Sequence, residues 1–399
     1  MKTSVSNTST LRLAALAAAV LAGYVAVLST GPVAANVRLT QIAPGESAFW
    51  YSVMAASGAL VAAVSFIVFG RISNRLLETR GSRQRIFIFS AVSLAPLILL
   101  VSAADSVPTI LVVWCLLQIP AAAILSTSTA VVLELLPERL VGLASGLFGA
   151  AAVMAIFYGV LIGTVTKNDP TIVLATSVAT ALLLALPAAL TRENTSLKNT
   201  EPDATTITKT PKAFWMFLFA TTFSLAVSAL SNDYFFQLSF RLLGGNTEAA
   251  ATLAQQLYAT SAGVFLLCSI AGGLLAKSAA RSLQLFKYSL LISAAGLALT
   301  TLIQETGTLL IGAILIGIGT GLNVGSQLPV MRLTLDGREE LGQEAGIFNL
   351  ASIAPAILVP SFAALLIIVS EENWPILLGA TVTALAVLGA ALARTIRIR

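Results

Sequence analysis

Residues 70–87 read GRISNRLLETRGSRQRIF. Five arginines fall between positions 71 and 85, and a long apolar run lies on either side. In a soluble chain such a basic knot would mark a nucleic-acid surface or a solvated loop. The surrounding chain is of another kind. Of 399 residues only 10% are charged and 57% are hydrophobic, and the mean hydropathy is +0.91. A soluble domain carries about a quarter charged residues. The composition is that of a membrane protein. The net charge of +5 then matters through where the basic residues lie, and no nucleic-acid partner is expected.

A helix that crosses the hydrocarbon core needs about 20 mostly apolar residues. Twelve such spans are predicted, at 13–35, 48–69, 86–104, 109–133, 141–165, 171–190, 213–235, 257–275, 285–303, 309–328, 345–369 and 374–393. Placing the N-terminus inside sorts the basic residues by side. Of the 23, only Arg38, Lys167 and Arg241 fall outside. Cytoplasmic loops carry such an excess of Lys and Arg, and one span more or fewer would scramble it. Both termini are therefore expected in the cytoplasm, with the chain in an inner or plasma membrane. The knot lies inside, after the second span, where it would face anionic lipid. The first apolar run is longer than the roughly 7–15 residues of a signal-peptide core, so it is expected to be kept as a span.

The longest polar interval, TRENTSLKNTEPDATTITKTPK at 191–212, has no apolar periodicity and is expected to be a cytoplasmic linker. It divides the chain into an N-terminal six-helix bundle at 1–190 and a C-terminal one at 213–399. A weak internal repeat supports that division. LLPERLVGLASGLFG at 135–149 aligns with LDGREELGQEAGIFN at 335–349, so that Leu135, Gly142, Gly146 and Phe148 match Leu335, Gly342, Gly346 and Phe348. Two matching six-span halves are the pattern of a duplicated transporter.

Several chemistries are excluded. Cys115 and Cys268 lie far apart inside apolar runs, which argues against a disulfide framework or a metal site. The chain has no histidine, which removes the usual near-neutral proton carrier and any Ser-His-Asp set. There is no phosphate-cradling loop, and GIGTG at 317–321 falls inside a predicted span rather than after a strand. No catalytic residue, cofactor or metal is expected, and the chain is not read as an enzyme.

Polar groups within spans are costly in lipid and mark water-lined paths. The candidates for a substrate path are Tyr24 in span 1, Gln118 in span 4, Asn232, Asp233 and Gln237 in span 7, Asn323 and Gln327 in span 10, and Asn349 in span 11. The span 7 stretch, SNDYFFQLSFR, sets amides and a carboxylate beside aromatic rings. A sugar site needs that mix, but an aromatic belt at the membrane interface reads the same way. Burial would raise the pKa of Asp233 and suit it to carry a proton. For Asn323, Gln327 and Asn349, plain interhelical hydrogen bonding is an equal alternative. Glu134, at the inner end of span 4, is expected to form an ion pair with Arg139 or with the arginines of the knot.

The layout resembles the major facilitator superfamily. The knot resembles that superfamily's loop signature, carried here by Gly70, Ser73, Asn74, Arg75, Gly81, Arg83 and Arg85. Its longer spacing is similar to the version found in the glycoside–pentoside–hexuronide cation symporters and the related proton-coupled sucrose transporters. GQEAGIFNLASIAPAILVP at 342–360 and LPERLVGLASG at 136–146 are similar to segments of the same group. Asn74 stands where the family usually has Asp. The acidic residues of melibiose-type symporters in segments 2 and 4, and the intramembrane Arg of proton-driven drug exporters, have no counterpart in the membrane interior.

The resemblance implies an all-α membrane protein, twelve transmembrane helices in two pseudo-symmetric six-helix bundles. It implies a secondary transporter, a symporter by analogy, that moves a small solute by alternating access, with a proton as the expected coupling ion and a sugar or glycoside as the favoured substrate. Efflux of a drug or metabolite and a non-transporting membrane sensor remain alternatives. The expected partners are substrate, proton and membrane lipid, with the chain working as a monomer. In the loop, Gly70 would permit close helix approach, Asn74 and Arg75 would latch onto the neighbouring bundle, and Arg83 and Arg85 would clamp the turn.

Overall fold

The arginine-rich stretch is helical for most of its length. The helix that contains it, Ser47–Arg80, runs well past the end of the apolar span and stops only at Gly81, whose φ of 63° is the left-handed conformation that a side chain disfavours. The Gly81 N–H donates to the Leu77 carbonyl at 2.9 Å, and the next helix begins at Gln84.

The computed structural model describes residues 2–43, 45–165, 169–190, 211–303, 305–335, 341–369 and 374–396. The expected linker at 191–212 lies almost wholly outside the described residues. Within them the chain is helical: α1 (Lys2–Tyr24), a π-helical continuation (Val25–Ala35), α2 (Asn36–Ile42), α3 (Ser47–Arg80), α4 (Gln84–Ala103), α5 (Val107–Leu135), α6 (Glu138–Val165), α7 (Pro170–Leu190), α8 (Lys212–Leu242), α9 (Thr247–Leu275), α10 (Ala279–Leu302), α11 (Thr306–Thr334), α12 (Gly342–Val369) and α13 (Trp374–Arg394). The predicted spans fall on these helices, the first of them on α1 and its π-helical continuation together. Eleven are long and apolar enough to cross a membrane, and α7 contributes a shorter described apolar stretch, Ala175–Leu186.

Local chemistry sets several boundaries. Ser106 and Ser278 accept from the backbone N–H three residues on and so start α5 and α10. Asn246 does the same for α9 through Ala249, at 3.1 Å. It starts that helix ten residues before the predicted span, because Ala250, Leu253 and Leu257 already form a buried face. The π-helical segment that continues α1 contains Pro32, which has no N–H to continue an α-helical ladder.

The chain forms two compact units. Unit 1 comprises residues 1–137, 151–208 and 338–350, and unit 2 comprises 138–150, 209–337 and 351–399. Thus α6 and α12 each contribute one part to each unit. Unit 2 has a core of Val227, Leu230, Leu257, Leu297, Ile316 and Leu378, drawn from α8, α9, α10, α11 and α13.

The repeated glycines mark close helix contacts. In unit 1, a Cβ added to Gly342 or Gly346 of α12 would collide with the carbonyl oxygen of Gly70 or Phe66 of α3. In unit 2, a Cβ on Gly142 or Gly146 of α6 would lie 2.5 Å from the carbonyl oxygen of Gly273 or Ser269 of α9. Both contacts use small residues four apart to bring backbones together. Ser269 Oγ also donates to the Gly146 carbonyl at 2.8 Å.

The substitution Gly146→Leu should therefore overpack the α6–α9 contact, at a cost of about 1–3 kcal/mol, and lower the thermal unfolding midpoint of the purified protein. Gly263, around which nothing lies within 4 Å of an added Cβ, serves as the control, and Gly263→Ala should leave the midpoint unchanged or raise it. Equal losses in the two variants would refute close approach as the cause, since both substitutions raise helix propensity.

Candidate functional site

The N-terminus of α12 raises a local problem. The first N–H groups of any helix have no partner within it, and here they lie in unit 1 against α3 and α5. Two side chains resolve it. Asn74 of α3 accepts from the Gly342 N–H through Oδ1 at 2.8 Å. Glu134 of α5 accepts from the Leu341 N–H through Oε1, also at 2.8 Å. A carboxylate at a helix N-terminus also gains from the helix dipole, by about 0.3–1 kcal/mol in exposed settings and up to about 2 when partly buried.

Glu134 has a second partner, Arg83. Arg83 Nη2 donates to both carboxylate oxygens at 2.8 Å, and its Nε donates to the Ser73 carbonyl at 3.4 Å. The side chains of Arg83 and Glu134 are 0% and 6% exposed. Buried charges are costly unless paired, so the guanidinium, the carboxylate and the α12 amides form one interdependent set. Four sequence features position it. Gly70 lets α12 approach, Ser73 is buried and supplies a carbonyl, Gly81 turns the chain, and the turn delivers Arg83 back under α3.

The structure thus brings together Gly70, Ser73, Asn74, Gly81, Arg83 and Glu134. It leaves Arg75 and Arg85 on the exposed surface. Glu134 pairs with the arginine knot through Arg83. The backbone N–H groups of Leu341 and Gly342 belong to the site although no side-chain reading could name them.

The proposed path residues are placed separately. Asn323 and Gln327 lie in a buried network in unit 2. Gln327 Nε2 donates to Asn323 Oδ1 at 2.7 Å, and Asn323 Nδ2 donates to Ser289 Oγ of α10 at 3.1 Å. This ties α11 to α10, each bond contributing about 0.6–2 kcal/mol. Asn349 belongs to unit 1, where its Nδ2 donates to the Ala345 carbonyl at 2.9 Å and reaches Thr129 Oγ1 at 3.5 Å. In unit 1, α1 approaches α5 at Gly23 and Ala121, with half-buried Tyr24 and buried Gln118 close by in sequence. Gln237 is half-buried on α8. The side chains of Asn232, Asp233 and Tyr234 lie outside the described residues. Among the described residues no group of His, Cys, Asp and Glu is disposed to hold a metal ion.

Comparison with known proteins now bears on this arrangement. The family model described as Major Facilitator Superfamily matches residues 13–360. The chain belongs to the major facilitator superfamily. No curated protein sequence matches it. Among solved structures, a bacterial homologue of the iron transporter ferroportin, in an outward-facing state, aligns with a TM-score of 0.69 at 14% identity, covering 97% of this chain and 98% of that one. The proton:xylose symporter XylE bound to 6-bromo-6-deoxy-D-glucose aligns with a TM-score of 0.72 at 13% identity, covering 99% of this chain and 97% of that one. At such identities the likeness establishes the fold. This superfamily protein is an integral membrane protein with the all-α major facilitator fold.

Glu134→Ala would leave the buried Arg83 guanidinium without its carboxylate, and loss of one partner from a buried pair costs about 3–5 kcal/mol. The double change Arg83→Met with Glu134→Leu removes both charges and should regain much of that loss. Thermal unfolding of the purified variants checks the order. A double variant no more stable than Glu134→Ala would refute the pairing argument.

Proposed function

We propose that this protein is a secondary transporter of a small solute, in which the contact of Asn74, Arg83 and Glu134 with the start of α12 is the latch of an alternating-access cycle. The observation that carries this reading is the capping of α12. Its first turn belongs to the second half of the sequence, and its amides are held by side chains from the first half. Rocking of the halves 1–190 and 213–399 would break these bonds on one side of the membrane and re-form them once per cycle. The distribution of basic residues supports a cytoplasmic position for the latch.

Asn74 tunes it. An amide oxygen accepts the Gly342 N–H but carries no charge, so it holds a helix N-terminus less firmly than the aspartate usual in the family. The sequence resemblance and the XylE-like fold support a sugar or glycoside as substrate and a proton as driving ion. The mixed polar and aromatic stretch at 231–241 supports the same substrate class, with Asp233 as proton carrier.

In proteoliposomes, Asn74→Asp should tighten the latch by about 0.5–1 kcal/mol and slow exchange two- to fivefold, with the amount of inserted protein unchanged. An unaltered rate would remove Asn74 from the cycle. For the coupling ion, Asp233→Asn should abolish pH-dependent uptake of the sugar that most stabilises the protein in a thermal panel. Uptake that keeps its pH dependence in this variant would rule out Asp233 as the carrier.

A further inference from the structure

The part of α6 that belongs to unit 2, residues 138–150, carries Gly142, Gly146 and Gly149. The first two meet the α9 backbone as described above, and a Cβ on Gly149 would collide with the Val324 side chain of α11. This close packing lets Ser145, only 2% exposed, reach the backbone of α11. Its Oγ donates to the Val324 carbonyl at 2.5 Å and accepts from the Leu328 N–H at 3.1 Å.

Those two backbone groups, four residues apart, are the ones that an α-helix joins to each other. A hydroxyl from another helix thus shares a rung of α11. The next rung has no donor, because Pro329 has no N–H to give the Gly325 carbonyl. Within the same turn Ser326 Oγ donates back to the Leu322 and Asn323 carbonyls, each at 2.9 Å, a habit that bends helices. A proline and a side chain inserted into the ladder are among the few causes of sharp helix bends, and here they act on consecutive rungs. Asn323 and Gln327, hydrogen-bonded to each other, belong to this turn. A change of bend there would re-aim both amides.

We infer that residues 324–329 of α11 form a hinge and that Ser145 is the positioning residue that sets it. While α6 is packed on α11, the Ser145 hydroxyl takes part of the Val324–Leu328 bond and holds the turn open. When α6 withdraws, the Leu328 N–H closes fully on the Val324 carbonyl, the turn tightens, and Asn323 and Gln327 move with it. In a transporter this couples a contact made by the first half of the sequence to two candidate path residues in the second, and that consequence rests on the alternating-access reading. The hinge itself does not.

Hydrogen–deuterium exchange of the full chain in detergent, read by mass spectrometry on overlapping peptides across 320–334, follows the Leu328 amide. One hydrogen bond of ordinary strength corresponds to about a fivefold change in local opening. Ser145→Ala should therefore speed exchange at Leu328 about fivefold and leave α13 unchanged. In a Pro329→Ala background, which supplies the N–H that the Gly325 carbonyl lacks, the same substitution should have less than about a twofold effect, because α11 then closes its own ladder. Ser145→Cys keeps a weak S–H donor and acceptor; it should speed exchange about twofold, and it serves if Ser145→Ala is poorly produced. Unchanged exchange in Ser145→Ala, an increase spread equally over α13, or the same fivefold effect in both backgrounds would each overturn the hinge. No substrate enters the experiment, so its outcome is separable from the fate of the transporter reading.

Discussion

Lipid gives a helix no hydrophobic reason to leave it for another helix, so what holds such a bundle together is close van der Waals approach. That constraint explains why the tightest contacts here are made by the smallest residues. Gly142 and Gly146 meet Ser269 and Gly273 in unit 2, and Gly342 and Gly346 meet Phe66 and Gly70 in unit 1. At each pair the carbonyl oxygen of one helix occupies the space a side chain would need on the other. The two repeated stretches thus make the same kind of close backbone contact. The partners on α3 and α9 share a four-residue spacing but only one residue type, glycine at 70 and 273.

Close approach also brings a polar cost. A helix that begins against its neighbours has unsatisfied amides, and water cannot always reach them. At α12 the solution is borrowed from elsewhere in the chain: an amide oxygen from α3 and a carboxylate from α5, with the carboxylate in turn neutralised by Arg83. The buried arginine would be a liability alone. Paired with Glu134, and with the Ser73 carbonyl taking its Nε, it fixes the turn at Gly81 and the start of α12 together. The network of Asn323, Gln327 and Ser289 treats buried amides on a smaller scale, as mutual partners within unit 2.

Much of this was legible in the sequence, and the rest was hidden for identifiable reasons. Hydropathy located all twelve spans because the membrane imposes a length on apolar runs. It misjudged helix ends, since helices project beyond the hydrocarbon. Thus α3 continues through Ser73 and Leu77, which keep one face buried, and α9 begins at a capping asparagine among polar residues. The arginine knot announced Arg83 as important but not which of its arginines would be buried. Only folding distinguishes Arg83 from Arg85, two residues away on the surface. The partner of Asn74 could not be read at all, because it is a backbone N–H 268 residues distant.

The interleaving of the two units has a consequence for how the chain can be divided. Unit 1 needs residues 338–350 and unit 2 needs residues 138–150. A cut anywhere in 191–210 therefore yields two fragments, neither of which contains a whole unit. Each would lack the segment that supplies one of the glycine contacts described above, so that contact could form only between the two fragments. The polar interval thus joins two pieces of chain that meet through these glycine contacts.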